Sequence, residues 1–267
     1  MTDNDEEQRV AAGYDVVYAA LPRSPTFARI WREHAAGADF PAGFEHISFV
    51  TLAELRHMSD ELQLSPDTLL VDLACGMGGP GLWIARERGA RLRGVDVSPA
   101  AVAAARGRAQ ELGLSHVSEF SRGTFAEAGL EAASADAVMS IDALQYAPDK
   151  AAAAREVARI LRPGGRFVFA CFEVEPERVA GLPVLGTDPV ADYTPLIEDA
   201  GYDVVSYNET AGWRERMRAA YQAVIDARAQ LVEELGEPAF LALFGEMSVT
   251  LQLQPYRRRV LATAVRR

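Results

Sequence analysis

An apolar run closed by an acid and broken at once by glycines, Leu69-Leu70-Val71-Asp72-Leu73-Ala74-Cys75-Gly76-Met77-Gly78-Gly79-Pro80-Gly81, limits what this chain can fold into more than any other segment. The apolar residues read as a buried strand and the glycines as a sharp turn that a ligand can approach closely. Leu82 to Glu87 reads as the helix the turn opens into. Strand, glycine turn and helix in that order are how a doubly wound α/β domain builds a nucleotide pocket.

Gly76-x-Gly78-x-x-Gly81 matches the dinucleotide fingerprint, in which glycines face a pyrophosphate. Asp72 argues for a different ligand, because a carboxylate at the strand end repels a pyrophosphate and suits an ammonium group. S-adenosylmethionine carries one. Arg91-Leu92-Arg93-Gly94-Val95-Asp96 reads as a second strand ending in an acid, about 20 residues beyond the loop, where ribose hydroxyls are held. Both cofactors want that acid, so Asp96 does not discriminate.

Asp136 to Asp142 is a further buried strand, and Leu161-Arg162-Pro163-Gly164-Gly165 turns a helix into the strand Arg166 to Ala170. With these segments in place the chain resembles the class I S-adenosylmethionine-dependent methyltransferases, in the branch of quinone-biosynthesis and natural-product small-molecule enzymes. The resemblance is strong from Leu69 to Phe172. It implies an α/β fold with a doubly wound, mostly parallel seven-stranded sheet of the Rossmann-like methyltransferase kind, flanked by an N-terminal helical arm and a C-terminal helical insertion.

The expected organisation is an arm over 1–63, a cofactor-binding core over 64–212, a helical cap over 213–247 and a final core strand within 248–267. A helix is expected from Phe44 to Leu62, another capped by Ser98 with Pro99 in its first turn, and a third capped by Asp149 from Lys150 to Leu161. Thr194 to Gly201 reads as a short helix, Tyr202 to Tyr207 and Val260 to Val265 as strands, with Arg257-Arg258-Arg259 flanking the last one.

The net charge of −11 disfavours a nucleic-acid substrate, which requires a basic surface. Two cysteines, Cys75 and Cys171, supply neither a metal-site spacing nor a disulfide framework, so no metal is expected. The acidic start, Met1 to Glu7, lacks the pattern of a secretory signal, and no stretch is long enough to span a bilayer; the expected location is cytoplasmic. A homo-oligomer is left open.

For the cofactor, the resemblance assigns Asp72 to the methionine ammonium and the backbone of Ala74, Gly76 and Gly78 to the amino-acid end. Asp96 goes to the ribose and Val97 to the adenine. Thr124 and Phe125 stand where relatives carry a Gly-Asp-Ala triplet, and Asp142 and Leu144 follow the next strand. Tyr14, Tyr18, Gln145, Trp213, Met217 and Tyr221 are the expected acceptor contacts. Some sugar-methylating relatives use a histidine pair and a strand-end acid near the acceptor; here Gln145, Tyr146 and Cys171 occupy those positions. A base is then expected from Glu173, His46 or Tyr146, or none is needed.

The expected reaction is methyl transfer from S-adenosylmethionine to an O, N or C atom of a small molecule, releasing S-adenosylhomocysteine. Three other readings stand beside it: cyclisation, decarboxylation or hydroxylation on the same fold, which would keep every cofactor residue; an NAD(P)-dependent oxidoreductase, against which Asp72 speaks; and a non-catalytic cofactor-binding subunit.

Overall fold

The structure is a computed structural model that describes residues 3–184 and 188–267; Met1 and Thr2 of the acidic start lie outside them. Strands β1 (Leu69–Leu73), β2 (Arg91–Asp96), β3 (Ser118–Arg122), β4 (Ala135–Ile141), β5 (Leu161–Val174), β6 (Tyr202–Glu209) and β7 (Arg257–Arg266) form one sheet. Its order is β3-β2-β1-β4-β5-β7-β6. Strands β1 to β5 are mutually parallel, whereas β7 runs antiparallel to both β5 and β6. The chain moves outward to one side of β1 through β2 and β3, then to the other through β4. The carboxyl ends of β1 and β4 therefore part to leave a crevice.

Helices cover both faces of this sheet because its central strands are apolar on both sides. The arm carries α1 (Asp3–Ala20), α2 (Pro25–Trp31) and α3 (Leu52–Glu61); the core carries α4 (Gly79–Arg88), α5 (Pro99–Glu111), α6 (Lys150–Ile160) and α7 (Thr194–Asp199). Leu70, Leu82, Ile84, Leu92 and Phe120 are buried on one face, and Val71, Val138, Val157, Ile160 and Phe167 on the other. The expected caps form: Ser98 Oγ accepts from Ala101 N, and Asp149 Oδ1 from Ala152 N.

The helix expected from Phe44 starts only at Leu52. Thr51 and Glu54 make a reciprocal capping box there, which fixes the start. Backbone groups of the preceding residues bond to the core instead of into a helix: Arg108 donates to the carbonyl of Glu45, and Asp142 accepts from the amide of Phe49. Residues after β6 form α8 (Trp213–Asp226), α9 (Arg228–Leu235) and α10 (Glu237–Leu253), so the helical cap runs past Met247. The triple arginine begins β7 rather than flanking it, and the alternation of the strand buries Arg257 and Arg259. Arm and cap share one apolar cluster that joins Tyr18, Phe27 and Trp31 to Trp213, Met217 and Leu243. Among the described residues no helix is long and apolar enough to cross a membrane.

Candidate active site

The turn after β1 takes three left-handed residues, Ala74 (φ +59°), Gly76 (φ +52°) and Gly78 (φ +75°). A Cβ on Gly76 would lie 2.7 Å from Tyr18 Oη, and one on Gly81 2.7 Å from Asp72 Oδ2. The first glycine thus lets the arm lie on the turn. The last lets α4 approach the strand-end acid.

Asp96 closes the turn from the neighbouring strand: its Oδ2 accepts from Gly76 N at 2.8 Å and its Oδ1 from Ser98 N at 2.9 Å. Burial pushes the Asp96 pKa up, and these backbone bonds only partly offset it. Asp72 is more exposed to this effect, since burial and then the charge of Asp96 hold its pKa well above the usual carboxylate range. Among the described residues no hydrogen bond or ion pair reaches the Asp72 carboxyl. Two neighbouring buried acids, one without a donor, make a corner that favours a cation.

A cavity of about 190 Å³ opens over this turn and the ends of β2 and β4. Of the residues singled out from the sequence, Tyr14, Tyr18, His46, Asp72, Ala74, Gly76, Asp96, Val97, Thr124, Phe125, Asp142, Gln145, Tyr146, Met217 and Tyr221 line it.

Four others do not line it. Gly78 is the left-handed N-cap of α4, and a Cβ there would press on Phe120 and Ala105 in the core. Leu144 is buried in the apolar layer on the far face, beside Ala147 and Ala153. Trp213 packs edge-on against Phe172 with ring centroids 5.2 Å apart and is fully buried. Glu173 follows Phe172 on β5, so when Phe172 faces the cavity Glu173 faces away. There it pairs with Arg258 Nε at 2.7 Å and accepts from the Tyr207 hydroxyl, which corrects its expected role as a base.

Three further lining residues are held by hydrogen bonds within the protein. Asp142, left-handed at φ +54°, accepts from Arg259 Nε on Oδ1 and from Phe49 N on Oδ2, both at 2.7 Å. Gln145 Nε2 donates to the Asp142 carbonyl at 2.6 Å. His46 Nδ1 lies 2.8 Å from Ser48 Oγ, its buried Nε2 has no partner, and burial lowers its pKa to about 4. Burial thus disfavours a proton on the ring, which counts against the base role the sequence suggested.

Two charged cavity residues were missed by the sequence reading. Glu246 accepts from the hydroxyls of Tyr14 (3.1 Å) and Tyr146 (2.7 Å). The available signal was its isolation: no other charged residue occurs from Pro238 to Tyr256. Arg257, hidden in a triple arginine that read as a flank, sits with its guanidinium 4.0 Å over the Phe172 ring and its Nε buried without a partner.

A doubly wound sheet with an acid-floored cavity at its switch point places the chain in the Rossmann-like α/β class. Comparison with known proteins gives the family. Residues 71–169 match the family described as "Methyltransferase domain". Methyltransferase GfsG of Streptomyces halstedii is 30% identical over 193 residues, covering 68% of each chain. A probable chloroplastic tocopherol O-methyltransferase of Oryza sativa subsp. japonica is 24% identical over 257 residues, 86% of this chain and 70% of that one. Among solved structures, the [4+2]-cyclase SpnF superposes with a TM-score of 0.74 at 21% identity, over 97% of this chain and 96% of that one. The chain belongs to the S-adenosylmethionine-dependent methyltransferases and is an enzyme of that class.

Proposed function

We propose that this enzyme methylates an apolar small molecule of specialised metabolism, holding S-adenosylmethionine over the β1 turn and the acceptor beneath arm and cap. The carrying observation is Asp72, a buried carboxyl without a protein donor beside a second buried acid. It fits the ammonium of the cofactor. Asp96 keeps free lone pairs for ribose hydroxyls, Val97, Thr124 and Phe125 border the adenine side, and the backbone of Ala74 and Gly76 borders the amino-acid end. When bound, the cofactor supplies an electrophilic methyl group on a sulfonium.

The chain's own part is to position and to exclude water. Phe49, Phe172, Tyr221, Leu243 and Met247 give the remaining cavity an apolar wall, drawn from arm, sheet and cap. Residues 1–63 and 213–253 then act as covers for a core of 64–212 and 254–267, and the acceptor enters as a free small molecule. Methyl transfer is supported by the likeness to methyltransferase GfsG. Cyclisation on this scaffold has only a likeness of fold behind it, through the cyclase SpnF.

Isothermal titration with S-adenosylhomocysteine, NAD and NADP tests the cofactor site. Saturable binding of S-adenosylhomocysteine alone is expected; binding of a dinucleotide without it would sink the reading.

A further inference from the structure

Three elements far apart in the chain converge on one carboxyl. Glu246 of α10 accepts from Tyr14 of α1 and from Tyr146 of the turn after β4, and both hydroxyls reach the same oxygen, Oε1. Among the described residues no donor is hydrogen-bonded to Oε2. Tyr14, Tyr146 and Glu246 are each half-buried in the cavity wall, so the two hydroxyls fix the carboxyl through Oε1 while Oε2 stays open to the cavity. The position also suits chemistry. Tyr14 stacks on Tyr18 with ring centroids 5.8 Å apart, and Tyr18 Oη reaches to the Cβ position of Gly76, so the carboxyl stands two rings from the glycine turn.

We propose that Glu246 is the general base of the methyl transfer and that the acceptor is a largely apolar molecule presenting a hydroxyl to Oε2. This rests on the methyl-transfer reading above. The acceptor O–H gives its proton to Oε2 as the oxygen forms its bond to the methyl carbon, and the carbon–sulfur bond breaks with its electron pair left on sulfur. One positive and one negative charge become none: ether, thioether and neutral carboxylic acid. The proton returns to solvent when the cavity opens.

The surroundings fit that role. Burial raises the Glu246 pKa, partly countered by the two tyrosine bonds and the charge of Arg257, which brings it closer to the range useful to a base at neutral pH. The titratable and charged groups that face it are Tyr14 and Tyr18 from α1, Tyr146, Tyr221 from α8 and Arg257 from β7. Burial holds all four phenols neutral, so they donate and do not compete for the proton. Arg257 balances the carboxylate charge, so this corner does not attract an ammonium, and a hydroxyl fits it better than an amine.

The test uses labelled methyl transfer to hydroxylated apolar probes: long-chain alcohols, and phenols from unactivated to nitro-substituted. Wild type, Glu246→Gln and Tyr146→Phe are compared. We expect turnover on alcohol probes to fall by about 10²- to 10⁴-fold in Glu246→Gln, with the acidic limb of the kcat profile abolished and nitrophenol turnover largely retained. Tyr146→Phe keeps the acidic limb but moves it upward in pH. Independently of activity, an infrared band of a protonated carboxyl that titrates in wild type is expected to vanish in Glu246→Gln.

S-adenosylhomocysteine affinity stays at the wild-type value in both variants. A Glu246→Gln enzyme with an unchanged rate and pH profile overturns the proposal, as does a wild type that binds S-adenosylhomocysteine but methylates none of the hydroxylated probes. Failure of wild type to bind S-adenosylhomocysteine instead overturns the cofactor reading beneath it.

Discussion

Arg259 Nε lies 2.7 Å from Asp142 Oδ1, and the fully buried guanidinium also reaches Glu54 Oε1 at 3.1 Å and Thr210 Oγ1 at 3.0 Å. One cation from β7 thereby ties the left-handed residue at the end of β4 to the first turn of α3. Taking the cation away leaves two poorly solvated carboxylates facing each other. Arg259→Met is expected to lower the unfolding free energy by about 3–5 kcal/mol, read from urea denaturation. A loss below the cost of an ordinary surface change would mean that the pair is solvated.

Asp72 trades stability for binding. Its folded-state pKa is raised, so its contribution to stability is present below the usual carboxyl range and is lost as pH rises through the raised value. At neutral pH the ligand-free protein therefore carries a cost at this position. Asp72→Asn is expected to raise the melting temperature of the free protein at pH 7 while weakening S-adenosylhomocysteine by about ten- to a hundredfold, the worth of one charge-assisted hydrogen bond. Calorimetry of the free and titrated proteins checks both signs.

His46 sets an acid-side dependence. Its pKa falls from 6.5 to about 4 because burial disfavours the charged ring, so the unfolded chain binds the extra proton first. Stability should decline as pH falls from about 6.5 to about 4, and His46→Gln should flatten that part of the curve. A slope equal to that of wild type would assign the proton uptake to other groups.

Glu173 should prove structural. Glu173→Gln removes the partner of Arg258, whose side chain is 46% exposed and can turn to water, so the loss is milder than at Arg259. A fall of about 1–3 kcal/mol in stability is expected. On any accepted substrate, the pH profile of kcat should match wild type; a lost basic or acidic limb would return Glu173 to the reaction.

The chain's sequence by itself determined the β1 turn, the acids at the ends of β1 and β2, and the caps of α5 and α6. Each of these rests on neighbours a few residues apart: Asp72 stands next to its glycines, and Ser98 three residues from the amide it accepts. Local spacing carries such features. The reading went wrong where a long-range bond overrode a local pattern. Phe44 to Val50 looked helical, yet Arg108 and Asp142 claim its backbone.

Only the tertiary structure decided which side chains meet across the cavity. Glu173 and Glu246 are both acids beside apolar segments, and nothing local says which faces a ligand. A one-residue step along β5 turns Glu173 to the far side of the sheet, while the packing of α10 on α1 brings Glu246 to Tyr14, 232 positions away. Burial then tunes these groups: Glu246 is raised and His46 lowered because of what encloses them, and enclosure belongs to the fold.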